Sequence, residues 1–211
     1  MNGHVFNWNW HSIPQNRISV IQMLVEKTKG RNTRYLEIGC DQNVVFNSID
    51  VEYKVGVDPA SGGTIRTTSD EFFKSNQQQF DVIFIDGLHH YDQVHRDAVN
   101  SLNCLAPGGW IVFHDLLPGN DNMQKVPRIQ AEWTGDCWKL AIELTKSKGL
   151  DFHIVKVDQG VGILRKISED WEVADMSETL NGAQFDLFVE TVLGGMLPII
   201  EYEEAKEYVA S

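Results

Sequence analysis

The sequence lacks long apolar runs, has little cysteine and carries no surplus of positive charge. In 211 residues no uninterrupted apolar stretch is longer than Trp110–Phe113, far short of the ~20 residues a membrane-spanning helix needs, so no membrane partner is expected. Met1–Trp10 holds polar Asn and His where a secretory leader would carry a basic patch and an apolar stretch, and a cytoplasmic location is the expectation. Cys40, Cys104 and Cys137 stand far apart and form no CxxC pair, which argues against structural zinc or a disulfide framework and for free thiols in a reducing compartment. Lys and Arg number 18 against 30 Asp and Glu, a formal net charge of −12. That sign is wrong for neutralising phosphates, so no nucleic-acid partner is expected.

What is present suits one globular domain with an appendage. Hydrophobic residues make up 42% and charged residues 23%, enough to bury a core at this length. Ser168–Ser211 holds 11 acids and one lysine, a net of −10 that leaves only −2 upstream. The chain therefore divides into a nearly neutral domain, 1–167, and an acidic, helical C-terminal appendage, 168–211.

Apolar runs and turn signals alternate along the domain. Ile18–Val25 has helical spacing and stops at Lys29-Gly30; Arg34–Ile38 reads as a buried strand broken by Gly39; Tyr53–Val57 is a second strand, closed by Asp58-Pro59. Ile65–Thr67 is expected as a short third strand. A helix capped by Ser69 or Asp70 follows, then the strongly apolar strand Phe80–Ile85 and a helix over Tyr91–Leu105 ended by Pro107-Gly108-Gly109. Trp110–His114 is the next strand, Pro118–Pro127 a polar loop, Gly135–Lys148 a helix, and Phe152–Val157 with Val161–Leu164 a closing hairpin around Asp158-Gln159-Gly160. This order defines an α/β fold, Rossmann-like and doubly wound, with a mostly parallel seven-stranded sheet and a reversed edge strand. In the tail, Phe185–Ile200 has helical apolar spacing suited to docking on the body or on a second copy in a homodimer.

In such sheets ligands bind beyond the carboxyl ends of the strands. The first strand ends in Glu37-Ile38-Gly39-Cys40-Asp41-Gln42-Asn43, where Gly39 permits a tight turn and close approach of a ligand. The second ends at Asp58, 19 residues past Gly39, the spacing at which an acid reaches a nucleoside ribose. The further glycines of a dinucleotide fingerprint are missing, so a nucleoside without phosphate fits better. S-adenosylmethionine is one, its positive groups suited to Glu37, Asp41 and Asp86. Read blandly, Gly39 is only a turn residue and Asp58 only a cap.

Tyr35–Cys40, Lys54–Pro59, Thr68–Phe73, Phe84–Tyr91 and Leu105–Asp115 together resemble successive motifs of class I S-adenosylmethionine-dependent methyltransferases. The resemblance implies that Glu37 and Gly39, with Cys40, Asp41 and Asn43 in the same loop, flank the methionine part of the cofactor, Asp58 the ribose, and Ser69 and Asp70 the adenine. Gln42-Asn43 replaces that family's usual later glycine. Ile85-Asp86-Gly87 with His114-Asp115 is similar to the metal-dependent O-methyltransferases of the catechol and macrolide-sugar kinds, which implies a divalent ion, Mg or Mn, on Asp86, His114 and Asp115. His114 departs from the acidic or amide residue of those families, and an imidazole moves preference from Mg²⁺ toward Mn²⁺, Fe²⁺ or Zn²⁺. His89, three residues past Asp86, stands at the offset of the catechol enzymes' catalytic Lys and is the candidate base, with Asp86 beside it. His95 is expected on the surface. Trp133 and Trp138 either cover an acceptor pocket or anchor a helix; Trp8, Trp10 and His11 are expected to pack, the alternative being a lid or substrate wall.

The expected activity is methyl transfer to an oxygen of a small-molecule acceptor such as a sugar or natural-product hydroxyl. Two rivals use the same residues: a metal-dependent hydrolase built on Asp86, His89, His114 and Asp115, and a noncatalytic nucleoside-binding module serving in assembly. Tyr202 and Lys206 imitate a dehydrogenase pair but follow the last expected strand, without the glycine loop that motif requires.

Overall fold

The computed structural model describes residues 3–211. Helix α1 (Arg17–Thr28) starts where Asn16 accepts the Ile18 and Ser19 amides in a capping box, and strand β1 (Arg34–Ile38) follows. A short α2 (Val44–Ser48) leads to β2 (Tyr53–Val57), then α3 (Ser69–Ser75) and β3 (Phe80–Ile85). Next come α4 (Tyr91–Cys104), β4 (Leu105–Phe113) and α5 (Trp138–Lys146). The hairpin is β5 (Leu150–Val155) and β6 (Val161–Lys166), and the chain closes with α6 (Ser177–Leu180), α7 (Phe185–Leu193), β7 (Ile199–Ile200) and α8 (Tyr202–Ala210).

One seven-stranded sheet runs β2-β1-β3-β4-β6-β5-β7. The alternation of side chains divides the core into two layers. Leu36, Ile38, Ile83, Ile85, Ile111 and Phe113 pack with α4, α5 and α7, while Tyr35, Val82, Phe84, Trp110 and Val112 pack with α1 and α8. Among the described residues no helix is long and apolar enough to cross a membrane, and all three cysteines are free and buried.

The doubly wound, mostly parallel sheet is as expected, with one reversed strand. That strand, β6, lies between β4 and β5 rather than at the rim. Ile65–Thr67 is not a sheet strand, because only Ile65 forms an isolated bridge to Val57. The seventh strand comes instead from the tail, where β7 pairs in parallel with β5. The helix expected over Phe185–Ile200 therefore stops at Leu193, where Gly194 and a left-handed Gly195 end it. Phe185, Phe188 and Val189 of α7 are buried in the body's own core. The cap of α3 is Thr68, not Ser69 or Asp70, since its hydroxyl accepts the Glu71 amide. Strand β4 begins at Leu105, so the Pro107-Gly108-Gly109 turn sits inside it at a register shift against β3. Helix α5 begins at Trp138 because Gly135 is held at φ 59°, outside the helical region.

Candidate active site

Register places the strand-end residues in one row. Ile38 lies opposite both Val57 and Ile85, and Ile85 lies opposite Phe113. The next residues, Asp58, Gly39, Asp86 and His114, therefore emerge level at the carboxyl edge. The ladder continues one step beyond the strands: the Gly39 amide donates to Val57 O (2.9 Å), Asp86 to Ile38 O (2.8 Å) and His114 to Ile85 O (3.2 Å).

Asp86, His114 and Asp115 meet with ligand atoms all within 4.8 Å of one another. His114 Nε2 is 2.8 Å from the carbonyl oxygen of Asp158. A carbonyl only accepts, so Nε2 carries a proton and Nδ1 is the atom free to gain or lose one. Nδ1 sits 3.2 Å from Asp86 Oδ1 and 3.1 Å from Asp115 Oδ1. Asp115 is 2% exposed, its Oδ1 makes no hydrogen bond, and its backbone is left-handed at φ 64°. A buried carboxylate oxygen without an aligned donor, on a backbone held in a sparsely populated conformation, is a candidate cation ligand.

His89 joins the group from the loop after β3. Its Nδ1 is 2.9 Å from Asp115 Oδ2, without the alignment of a hydrogen bond, and its Nε2 is 3.4 Å from Asp86 Oδ1. Burial works against a charge on His89, but the Asp115 and Asp86 carboxylates prevail and push it up to about 9. His89 is thus a cation at neutral pH, and to serve as a base it must first lose that proton. Burial likewise opposes charge on His114, and Asp115 and Asp86 carry it well above its ordinary value. Against their own burial, the two carboxylates are held low chiefly by His114.

Two members of the site were not singled out in the sequence, Arg17 and Asp158. Arg17 Nη1 donates to Asp86 Oδ2 (3.0 Å) and stands 2.9 Å from His114 Nδ1, while its Nε and main-chain nitrogen donate to Asp158 Oδ2 at 2.9 and 3.1 Å. Burial would raise Asp158, but His114 and Arg17 hold it down to about 2. Asp158 was legible only as a turn residue. Nothing in the local pattern around Arg17 marks it, except that a basic residue in a helix's first turn opposes the helix dipole and asks for a nearby acid.

Glu37 lies behind the row. It is 1% exposed, accepts from the Tyr35 hydroxyl (2.5 Å), and is driven up to about 7, mainly by burial, with Asp86 adding to the rise. At Gly39, φ is 86° and a Cβ would stand 2.2 Å from Asp86 O. The close approach at this glycine is therefore that of the neighbouring loop's backbone, where the sequence suggested a ligand. The Asp58 carboxylate accepts four backbone amides, from Cys40 (3.0 Å), Asp41 (3.0 Å), Ala60 (2.8 Å) and Ser61 (2.7 Å). Asn43 Oδ1 accepts from Gly63 (2.7 Å), so Asp58 and Asn43 lace the first two loops together. Ser69 and Asp70 both accept from Gln93 of α4, which also reaches Asp97.

Trp138 is fully buried, whereas Trp133 stacks on His89 with ring centroids 5.1 Å apart and planes 11° from parallel. His95 is not a free surface residue: it lies 2.7 Å from the fully buried Glu143, which also accepts from Tyr91 (2.5 Å) and the Met176 amide (2.9 Å). Phe6, Trp8 and Trp10 stack in series, half-buried, with the Trp8 indole donating to Pro118 O. A cavity of about 120 Å³ beside the His89 loop is lined by His90, Tyr91, Asp92, Val126, Asp136 and Asn181.

A family model described as a methyltransferase domain matches residues 21–116. No curated protein matches the sequence. Among solved structures, the Podospora anserina methyltransferase PaMTH1, bound to SAH, is 18% identical over 75% of this chain and 85% of its own, with a TM-score of 0.54. The O-methyltransferase TomG from Streptomyces achromogenes, involved in tomaymycin synthesis and in complex with SAM, is 11% identical over 71% of this chain and 79% of its own, with a TM-score of 0.52. An O-methyltransferase from Bacillus cereus in complex with SAH is 13% identical over 74% and 83%, with a TM-score of 0.51. Residues 21–116 thus match the model of a methyltransferase domain, and the chain shares the fold of these solved methyltransferases.

Proposed function

We propose that this protein transfers the methyl group of S-adenosylmethionine to an oxygen of a small acceptor, a sugar or natural-product hydroxyl. The observation that carries the reading is the level row of strand ends that holds the Asp86–His114–Asp115 group, with the buried Glu37 behind it, in a chain matching a methyltransferase-domain model. Solved structures of the same fold hold SAM or SAH, and two of them are O-methyltransferases.

In this assignment Glu37 faces the cofactor's methionine end, together with the Gly39–Asn43 loop. Asp58 shapes the wall of the ribose site by fixing the Cys40 and Asp41 amides, so its direct use by a ribose hydroxyl requires one of those amides to yield. Ser69 and Asp70 lie toward the adenine. Methyl transfer is a displacement in line with the sulfonium carbon, so positioning supplies much of the acceleration.

The Asp86, His114 and Asp115 side chains fit a divalent ion, since Asp115 Oδ1 is buried without an aligned donor and two carboxylates and an imidazole bring ligand atoms within 4.8 Å of one another. Mg²⁺ or Mn²⁺ held by these side chains would supply a Lewis acid that lowers the acceptor hydroxyl's pKa. His89 is placed to take that proton once its own has been lost, and Trp133 walls it on one side.

Calorimetry with S-adenosylmethionine and its demethylated product is the first test, with binding of both expected. Turnover on a panel of sugar and phenolic acceptors, followed by mass gain of one methyl group, is the second. Failure to bind either cofactor form would sink the assignment and favour the hydrolase.

A further inference from the structure

We propose that Arg17 is a built-in competitor for the cation site: its guanidinium occupies the donor atoms a divalent ion needs, so the ion binds only by displacing it. The inference rests on the metal reading above and concerns a residue that neither the motifs nor the family match marks.

Arg17 opens helix α1, the end where a cation opposes the helix dipole. Its placement is explained by the carboxylates it meets. Nη1 donates to Asp86 Oδ2 (3.0 Å) and lies 2.9 Å from His114 Nδ1. Nδ1 is the atom through which this imidazole would hold a metal, because Nε2 is committed to the Asp158 carbonyl, so Nη1 stands where the ion would. One position beside Nδ1 cannot hold both. Asp158 grips both Nε and the main-chain nitrogen of Arg17, and the main-chain contact keeps the start of α1 in place when the guanidinium swings away. Asp86 and Asp158 attract a cation at this position, whether it is the guanidinium or an ion. Arg17 therefore stabilises the metal-free cluster.

The test is titration with Mn²⁺ alone, followed by the loss of the free-ion electron paramagnetic resonance signal, on the full chain and on Arg17→Gln and Arg17→Lys. Removing a positive charge within a few ångströms of the site is expected to tighten Mn²⁺ binding roughly ten-fold or more in Arg17→Gln. Arg17→Lys keeps the charge but cannot span Asp158 and His114 together, and is expected to fall between. Equal or weaker binding in Arg17→Gln overturns the proposal; if that variant does not fold, as judged by its thermal transition, parent-like affinity in Arg17→Lys overturns it instead. Absence of Mn²⁺ binding in every form, with the demethylated cofactor still bound, overturns both this inference and the metal reading but leaves methyl transfer standing. Tightened Mn²⁺ binding without cofactor binding sustains the inference and removes the methyltransferase assignment.

Discussion

Gly135 passes so close to His89 that a Cβ on it would stand 1.7 Å from the His89 carbonyl oxygen. With φ at 59° the position is doubly restricted, by conformation and by space. Through this contact the loop carrying Trp133 is seated on the loop carrying His89. Gly135→Ala is expected to push the two apart, at a cost on the order of 1–3 kcal/mol. The check is a melting temperature lowered by a few degrees, together with a larger fractional loss of methyl transfer than of cofactor affinity. A variant with unchanged turnover would show that the seat is not needed for chemistry.

Asp115 carries the orphaned oxygen of the proposed cation site. Asp115→Ala is expected to abolish methyl transfer beyond rescue by added Mg²⁺ or Mn²⁺, while excess chelator inactivates the parent. Full turnover in chelator would remove the metal and leave His89 and the positioning of the acceptor to account for the rate.

Glu37 gives the protein a pH signature. Its folded value is about 7 against an ordinary 4.5. The folded state holds this proton more tightly than the unfolded chain does, so below pH 4.5 the residue costs no extra stability. Between 4.5 and 7 the cost of a buried charge grows, reaching ~3 kcal/mol above pH 7. Glu37→Gln is expected to match the parent near pH 4.5 and to exceed its melting temperature at pH 8, while losing cofactor affinity there. Parallel melting curves for the two proteins across this range would contradict the assignment.

His95 has the opposite dependence. Its contact with Glu143 raises its pKa above the ordinary 6.5, over the smaller opposing effect of burial. The stability it contributes is complete below pH 6.5 and disappears as pH rises through the raised folded value. His95→Ala, which leaves Glu143 with Tyr91 and the Met176 amide, should therefore lower the melting temperature more at pH 6 than at pH 9.

The parts of the site that were readable lie at the ends of strands. Arg34–Ile38, Tyr53–Val57 and Phe80–Ile85 are largely apolar segments bounded by turn residues, and their limits coincide with β1, β2 and β3. Once those limits are fixed, Gly39, Asp58 and Asp86 follow one residue later. Tail strand β7 was hidden because two residues carry no periodicity. The length of α7 was overestimated because the apolar spacing continues past the glycines that stop the helix. The placement of His95 was missed because its exposure depends on Glu143, 48 residues further on.

By itself the sequence determined the alternation of strands and helices and the residues at each strand's carboxyl end, because burial on both faces and local turn chemistry are written in consecutive residues. Tertiary structure alone decided that Arg17 reaches Asp158, 141 residues away, and Asp86, 69 residues away. The same packing decided that β6 enters between β4 and β5, and that Asp115 is turned left-handed into a buried oxygen without a donor. These outcomes depend on which elements pack side by side, and electrostatic pairing acts on distance in space, which no local pattern encodes.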